Sequence, residues 1–597
     1  MYLRTLLAHL DAFGGGGEPL WRLDERPANA SRSRALRDAK VPDVAASTPL
    51  PWIRNRSHFS IHARISKLRR IGDQANRAIG LLLILTRTGP ARKDTRLYGL
   101  LHKLGVLDFD PRQAVNAPRL ERLPWGGRPI DAPEPQRPPG VDGMWPQAPV
   151  LHPDIYPAVL HITSQEQTDH LRANMLRYLG QIVTLTPGAA WRAKMRPRVW
   201  PLDDALFARI LTETTLAQHI RHTLSVDDRA SFRACLDGPH EAFSRIDFSQ
   251  VRPGPAMPRV RLAPTTTLLR QQKDGSYQAR AIRVRDTVFT PADGDAWTLA
   301  RYHVLSGVHV IHTLVGHPRL HFPSDVVNAV SKSILPINHL LAQLILPHTR
   351  ITLGLDRAVT HHRRSVLWTS PQEIYTPNAL ETEGICAAVA VGRLGVEGSD
   401  GYPAYDFWGV GHDPRTRFGR YCGDWQEAFE RFAIDITRRI PAGDAVVARW
   451  ADAISEWVPG FPDGRAIFRE DCLGRAVGRY LASVTVLHSV DHYSYAAIPI
   501  EYLPIRIRVP VQDVIRPGAL HLDHLTSAED FFRHVLCHRM FFKPVIVQSL
   551  DEVRYGFCDD ATQRAVREFR NERIRLDKQW RGSGFPASYE IASSIQS

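Results

Sequence analysis

The sequence predicts a mainly α-helical protein with a single large domain, long central helices and a small β-hairpin or sheet. Three observations lead to this prediction. Apolar residues recur at helical spacing in most segments beyond residue 160. Residues 259–286 alternate instead and contain an Asp-Gly pair, which is typical of a hairpin turn. No internal repeat divides the chain, and a hydrophobic content of 43% in 597 residues can fill a sizeable core.

Helical periodicity also predicts where individual helices lie. They cover residues 53–107, 296–322, 324–347, 424–439, 442–457, 469–493, 527–540 and 559–570. Residues 109–157 are rich in proline, so we expect them to be extended and irregular. The chain is therefore divided into a basic, Pro-rich N-terminal extension with some helix at 1–157 and the large helical domain at 158–597.

Composition excludes several classes of function. The net charge is +14, but no basic run is interleaved with aromatic residues, so we expect no nucleic-acid partner. Six cysteines without a Cys-x-x-Cys pair argue against a disulfide framework and against a thiolate metal site. The sequence lacks a signal-peptide apolar region and a transmembrane segment, which predicts a cytoplasmic protein. Peripheral contact with a membrane, through basic amphipathic helices, stays open.

Two histidines, His312 and His317, lie five positions apart in the apolar segment IHTLVGHP. A regular helix turns about 100° per residue, so their rings would point about 140° apart and would share a ligand poorly. A π turn brings residues five apart onto one face. Gly316 and Pro318 make such an irregularity plausible, because proline cannot donate to the regular hydrogen-bond ladder. A metal site is therefore one interpretation, and a structural histidine pair is the other.

A second pair, His488 and His492, has a spacing of four residues, which places both rings on one face of a regular helix. The preceding run LASVTVL is apolar and predicts a buried helix. Neutral imidazoles combined with oxygen donors suit iron(II) or manganese. A structural zinc site would instead favour a closed set of ligands that includes thiolates.

Taken together, these motifs resemble the lipoxygenase family. The segment WTLAR, Trp297 to Arg301, precedes His312 by eleven positions, and the pair His312 and His317 follows. An LPHTR segment, the late histidine pair and the final residues IASSIQS are similar to further family motifs in the same order. The resemblance covers about residues 200–597. It points to bacterial members, because residues 1–157 lack the alternating short strands that an N-terminal β-barrel domain would need.

The resemblance implies a non-haem iron dioxygenase, with manganese as a possible metal. Its substrates would be dioxygen and an unsaturated fatty acid or lipid, with hydrogen taken from a bis-allylic methylene and a hydroperoxide as product. The hydrogen acceptor would be a metal-bound hydroxide, so no side chain is expected to act as the base. The implied metal ligands are His312, His317, His488, His492 and the terminal carboxylate of Ser597.

Several residues are candidates for substrate binding. Leu341, Leu344 and Ile345 would wall an apolar cavity, although an ordinary helical core explains them as well. Val359 occupies a small-residue position that the family uses near the site of oxygen attack. Arg506 has a guanidinium suited to a carboxylate, and one face of an alternating strand explains it equally.

The chain also departs from the family pattern, most visibly at Pro318, at Val359-Thr360 and in the segment HFPSD, residues 321–325. These departures motivate an alternative with the same fold and iron, namely an oxidase, an isomerase or a tailoring oxygenase that acts on a non-fatty-acid or carrier-bound substrate. A second alternative from another class is a metal-free binding protein that retains only the scaffold.

Overall fold

The computed structural model describes most of the chain between residues 202 and 595. The described ranges are 202–239, 242–248, 260–335, 339–349, 352, 406–408, 413–455, 458–497, 506–508, 525–527, 530–531, 534, 549–553, 555, 557 and 559–595. The predicted boundary between 157 and 158 and the predicted helix at 53–107 lie outside these ranges. Among the helices within them, none combines the length and the apolarity that crossing a membrane requires.

Most of the described helices share one large apolar core with a small sheet, and a second, smaller apolar cluster contains Phe232 and Phe243. The described helices are α1 (Asp204–Thr212), α2 (Val226–Ser231), α3 (Asp295–Ile311), α4 (Pro318–Ile334), α5 (Leu340–Ile345), α6 (Arg417–Thr437), α7 (Ala445–Ser455), α8 (Cys472–Ala482), α9 (His488–Ala497) and α10 (Asp560–Gln579). A mainly helical fold with a small sheet was predicted, and the structure confirms it.

The sheet is antiparallel, with its five strands in chain order. The strands are β1 (Ile220–Arg221), β2 (Phe243–Asp247), β3 (Thr265–Gln271), β4 (Tyr277–Val284) and β5 (Thr287–Phe289). The hairpin predicted within 259–286 is formed by β3 and β4. Its turn contains Gly275 at a φ of 82°, a left-handed conformation that glycine adopts at little cost. One face of the sheet packs against α1 and α3 and so closes one side of the helical core.

The long helix predicted at 296–322 is divided in the structure by a π turn, His312–Gly316, between α3 and α4. The backbone N–H of His317 donates to the carbonyl of His312 at 2.7 Å, a five-residue step that defines this turn. The predicted boundary between 322 and 324 is wrong, because α4 continues through Pro323 to Ile334.

The motif WTLAR fastens the start of α3 to α1. Trp297 Nε1 donates to Asp204 Oδ1 at 2.6 Å, and the guanidinium of Arg301 lies 3.0 Å from the same oxygen. Arg301 also donates to the carbonyl of Leu202 at 2.6 Å. These contacts fix the axial position of α3, and therefore the height at which the π turn lies in the core.

A second long helix repeats this design. The region predicted as one helix at 469–493 consists of α8, a second π turn at Ser483–Leu487, and α9. Helix α8 packs closely on α6, and a Cβ at Gly478 would lie 2.4 Å from the Cα of Glu430. Only glycine permits that approach, which seats α8 and α9 against the core at a fixed depth.

Candidate metal centre

The π turn and the helix after it place two imidazoles on one side of α4. His317 directly follows the turn, and His321 lies four residues further along. Residues four apart share one face of a regular helix, so the two rings lie next to each other, with their centroids 4.4 Å apart.

Helix α9 brings two more imidazoles to the same point. The centroids of His488 and His492 are 4.7 Å apart, and His317 lies 5.3 Å from the first ring and 5.0 Å from the second. His488 Nε2 and His321 Nε2 are separated by 3.0 Å. One ligand atom each from His317, His321 and His488 fall within 4.8 Å of one another, and the ring of His492 borders the group. We call these four residues the histidine cluster.

Burial keeps His317, His321 and His488 in the neutral state that metal binding requires. It lowers the pKa of His317 and that of His321, each to about 4, and the neighbouring His321 contributes to the shift at His317. Burial and the adjacent His492 lower the pKa of His488 well below its ordinary value. These imidazoles are therefore neutral near pH 7, and a neutral imidazole keeps one nitrogen lone pair available.

Access to the cluster is uneven. The His317 side chain is 20% exposed, whereas His321, His488 and His492 are each no more than 6% exposed. A small molecule would therefore reach the centre from the side of His317. The other three rings lie against the apolar core.

One buried carboxylate, Asp491, adjoins the cluster. It lies between His488 and His492 in the sequence of α9 and accepts from His317 Nδ1 at 2.7 Å. Burial raises the pKa of Asp491, but His312 and His317 outweigh burial and hold that pKa well below its ordinary value. The carboxylate is therefore ionised.

The structure places His312 beside the cluster rather than in it. Its Nε2 is hydrogen-bonded to Asp491 Oδ1, and its Nδ1 lies 3.1 Å from the amide nitrogen of Gln218. Both ring nitrogens thus have protein partners, which leaves no lone pair for a metal in this arrangement. The π turn was expected to make ligands of both His312 and His317. The turn instead brings both rings to one carboxylate.

His321 is the site residue that the sequence analysis missed. The signal was present, because His317 and His321 have the same four-residue spacing as His488 and His492. The interval of eleven positions from Arg301 indicated His312 instead, and the HFPSD segment, which begins with His321, departs from the family pattern.

Ser597, the predicted carboxylate ligand, lies outside the described residues, but the tail just before it is held next to α9. The backbone N–H of Ala592 donates to Ser489 Oγ at 2.9 Å. His348 Nδ1 donates to the carbonyl of Ser593 at 2.7 Å, and Thr352 Oγ1 donates to the carbonyl of Ile595 at 3.2 Å. Ile591 and Ile595 are both fully buried.

The predicted substrate-binding residues lie in separate parts of the chain. Leu341, Leu344 and Ile345 lie on α5 and are fully buried. Val359 lies outside the described residues. The guanidinium of Arg506 is 6% exposed and donates to Asp530 Oδ1 at 2.9 Å. It pairs with a carboxylate of the protein itself, so the role predicted for it at a substrate carboxylate loses its support.

The donor set fits a transition metal. Imidazole nitrogens are ligands for iron as well as for zinc, copper and nickel, and the group within 4.8 Å contains no thiolate. The Nε2 atoms of His321 and His488 are 3.0 Å apart, and two lone pairs at that distance repel unless a cation or a proton lies between them. A metal ion would relieve this repulsion, while each ring donates one nitrogen.

Comparison with known proteins gives a likeness in structure but none in sequence. No protein-family model matches the chain. No curated protein matches it at a significant level. Solved lipoxygenase structures do match, over most of their length.

Three of these structures represent the set. A LOX variant in complex with arachidonate is 15% identical and gives a TM-score of 0.58, and the match covers 76% of this chain and 77% of the LOX chain. The manganese lipoxygenase of Gaeumannomyces graminis is 15% identical, with coverages of 72% and 92% and a TM-score of 0.56. A coral 8R-lipoxygenase is 14% identical, with coverages of 75% and 77% and a TM-score of 0.55. The similarity to lipoxygenases predicted from the motifs is thereby confirmed at the level of the fold, and the chain has the fold of a lipoxygenase catalytic domain.

Proposed function

We propose that the protein is a metal-dependent dioxygenase of the lipoxygenase type, with iron or manganese held by His317, His321, His488 and His492. The observation that carries this proposal is the convergence of four imidazoles, three of them almost fully buried, from two helices that each follow a π turn. Imidazoles that converge in this way, with ligand atoms of three of them within 4.8 Å of one another, suit a transition-metal ion.

The terminal carboxylate of Ser597 is proposed as a further ligand. Its support is the anchored segment 591–595, which hydrogen-bonds to Ser489 beside His488 and to two residues near the end of α5. An oxygen donor added to the imidazoles would give the mixed set that iron(II) and manganese accept.

When bound here, iron or manganese would supply one-electron chemistry for hydrogen abstraction and reaction with dioxygen. The protein's own part is to orient the ligands and to restrict water. His321, His488 and His492 are held in the core, and Asp491 orients His317 through its Nδ1. The more exposed side of His317 is where substrate would approach. No side chain is needed as a base in this scheme.

The proposed substrate is a polyunsaturated fatty acid or a lipid that contains one. Its support is the fold shared with a LOX structure that contains arachidonate. Leu341, Leu344 and Ile345 remain proposed as part of an apolar wall, since they lie on α5, which packs against α4.

The test combines oxygen uptake with conjugated-diene absorbance for a panel of polyunsaturated fatty acids, using protein with a measured metal content. We expect both signals from metal-loaded wild type and neither from His488→Ala. The control is His222→Ala, because His222 pairs with Asp413 and Ser244 outside the cluster. Metal-loaded wild type that is silent with every fatty acid would contradict the substrate. It would favour the alternative of an oxidase, isomerase or tailoring oxygenase acting on another substrate.

A further inference from the structure

Asp491 is an enclosed carboxylate that contacts groups from two other parts of the chain. Its side chain is 3% exposed. Oδ1 accepts from His312 Nε2 and from Thr215 Oγ1, the latter at 2.8 Å, and Oδ2 accepts from His317 Nδ1 at 2.7 Å. Gln218 completes the group, with its amide nitrogen 3.1 Å from His312 Nδ1 and 3.2 Å from Thr215 Oγ1.

These contacts permit one consistent arrangement of protons. An ionised carboxylate only accepts hydrogen bonds, so His312 must carry its proton on Nε2 and His317 must carry its proton on Nδ1. Gln218 donates to the remaining nitrogen of His312, which agrees with a neutral ring protonated on Nε2. The second nitrogen of His317, Nε2, is then left with a lone pair.

We propose that Asp491 is the positioning residue of this metal centre: it fixes the tautomer and orientation of His317 and places a negative charge behind that ligand. His312 and Gln218 hold the carboxylate in place. This inference rests on the proposed function, since it assumes that His317 is a ligand. An anionic partner makes an imidazole a stronger donor, so Asp491 should tighten metal binding and favour the more oxidised metal.

The π turn is what makes this arrangement possible. On a regular helix His312 and His317 would point about 140° apart, and one carboxylate could not reach both rings. In the π turn both rings meet Asp491, and a Cβ at Gly316 would lie 3.0 Å from His312 Nδ1. The irregular turn therefore lets one carboxylate contact both the proposed ligand, His317, and the supporting ring of His312.

The test replaces Asp491 with asparagine, which keeps the size of the side chain and removes its charge. An amide has one acceptor oxygen, and its NH₂ group must face one of the two rings, so the proton arrangement above is lost. We expect iron and manganese to bind about ten- to a hundredfold more weakly in Asp491→Asn, as measured by chelator competition. The midpoint potential of bound iron should rise.

The matched control is Asp228→Asn, which removes another fully buried carboxylate. Asp228 contacts Arg245 and Ser225, at the start of α2. We expect a loss of unfolding free energy in this variant with metal affinity within twofold of wild type. Equal loss of affinity in both variants would reduce Asp491 to a structural residue and overturn the inference.

A second measurement needs no metal. In metal-free wild type, long-range ¹H–¹⁵N spectra of labelled histidine should show His317 protonated on Nδ1, and Asp491→Asn should change that tautomer. If Asp491→Asn leaves the tautomer unchanged and its metal affinity is within twofold of wild type, this inference is overturned and the proposed function is not. A wild-type chain that takes up neither iron nor manganese overturns the proposed function, and this inference with it.

Discussion

His321 Nε2 and His488 Nε2 lie 3.0 Å apart, although 167 residues separate them along the chain. One residue lies on α4 and the other begins α9, and each helix follows a π turn. Two neutral imidazoles can approach this closely when a cation or a proton lies between them. This contact lies within the proposed metal site.

The ligand set predicts opposite outcomes for two neighbouring histidines. His321→Ala removes a proposed ligand and should reduce bound iron to a small fraction of one ion per chain. His312→Gln removes only a support of Asp491, so the protein should still bind iron, with reduced affinity. Metal content after dialysis against a weak chelator measures both. His339→Ala is the control, because His339 caps α5 and pairs with Asp444. Iron retained by His321→Ala and lost from His312→Gln would reverse the assignment.

The π turn leaves little room for a side chain at position 316. A methyl group there would lie 3.0 Å from His312 Nδ1, so in Gly316→Ala that ring must shift slightly. Overpacking of this kind costs about 1–3 kcal/mol. We expect this loss in urea unfolding, with weaker metal binding.

The matched control for that substitution is Gly423→Ala within α6, where an added methyl group meets nothing within 4 Å. Alanine replaces glycine there in a helix interior, which should stabilise the protein by about 0.5–1 kcal/mol. Equal effects of the two substitutions would argue against a special role for Gly316.

The tail contact at Ser489 should couple the C-terminal segment to the metal centre. Ser489→Ala removes the acceptor for the backbone N–H of Ala592, whose unsatisfied donor costs about 1–3 kcal/mol. We expect lower stability and faster release of the metal, because the neighbouring residue is His488. Stopped-flow transfer of the metal to a chelator measures that rate. Ser455→Ala, which loses an exposed contact to Asp452, should leave the rate unchanged.

His348 should give stability a distinct pH dependence. Burial lowers its pKa from 6.5 to about 4, and the hydrogen bond to Ser593 only partly opposes this. Between these two pH values the unfolded chain binds a proton that the folded chain does not. The free energy of unfolding therefore falls as the pH drops through this window, by about 1.4 kcal/mol per pH unit for this group.

His348→Gln removes that titration. Metal-free wild type and variant should differ most near pH 7, where the variant lacks the contacts of His348 to Ser593 and Tyr555, and their stabilities should converge toward pH 4. Urea unfolding at several pH values between 4 and 7 provides the comparison. Parallel curves would mean that His348 does not titrate as its burial requires.

Much of the architecture was visible in the sequence because it depends on local signals. Helical periodicity predicted α6, α7 and α10, and the Asp-Gly pair predicted the hairpin of β3 and β4. The irregularity after His312 was also predicted correctly, because Gly316 and Pro318 weaken the regular ladder locally.

The site itself was predicted less completely, because it depends on contacts between distant segments. The four-residue spacing of His317 and His321 can be seen in the sequence, but no local pattern shows which histidines around the π turn will face α9. Asp491 meets His317 across 174 residues, and Arg506 meets Asp530 through a pairing that an alternating strand pattern does not reveal. The direction of these side chains is set by packing of whole helices.

The central claim is that His317, His321, His488 and His492 hold one metal ion. Anomalous diffraction from crystals of iron-loaded protein, recorded on both sides of the iron absorption edge, tests it most directly. We predict a single iron peak between these four rings, within coordination distance of His321 Nε2 and His488 Nε2. A peak elsewhere in the molecule, or no peak in crystals of protein that binds iron in solution, would contradict the account.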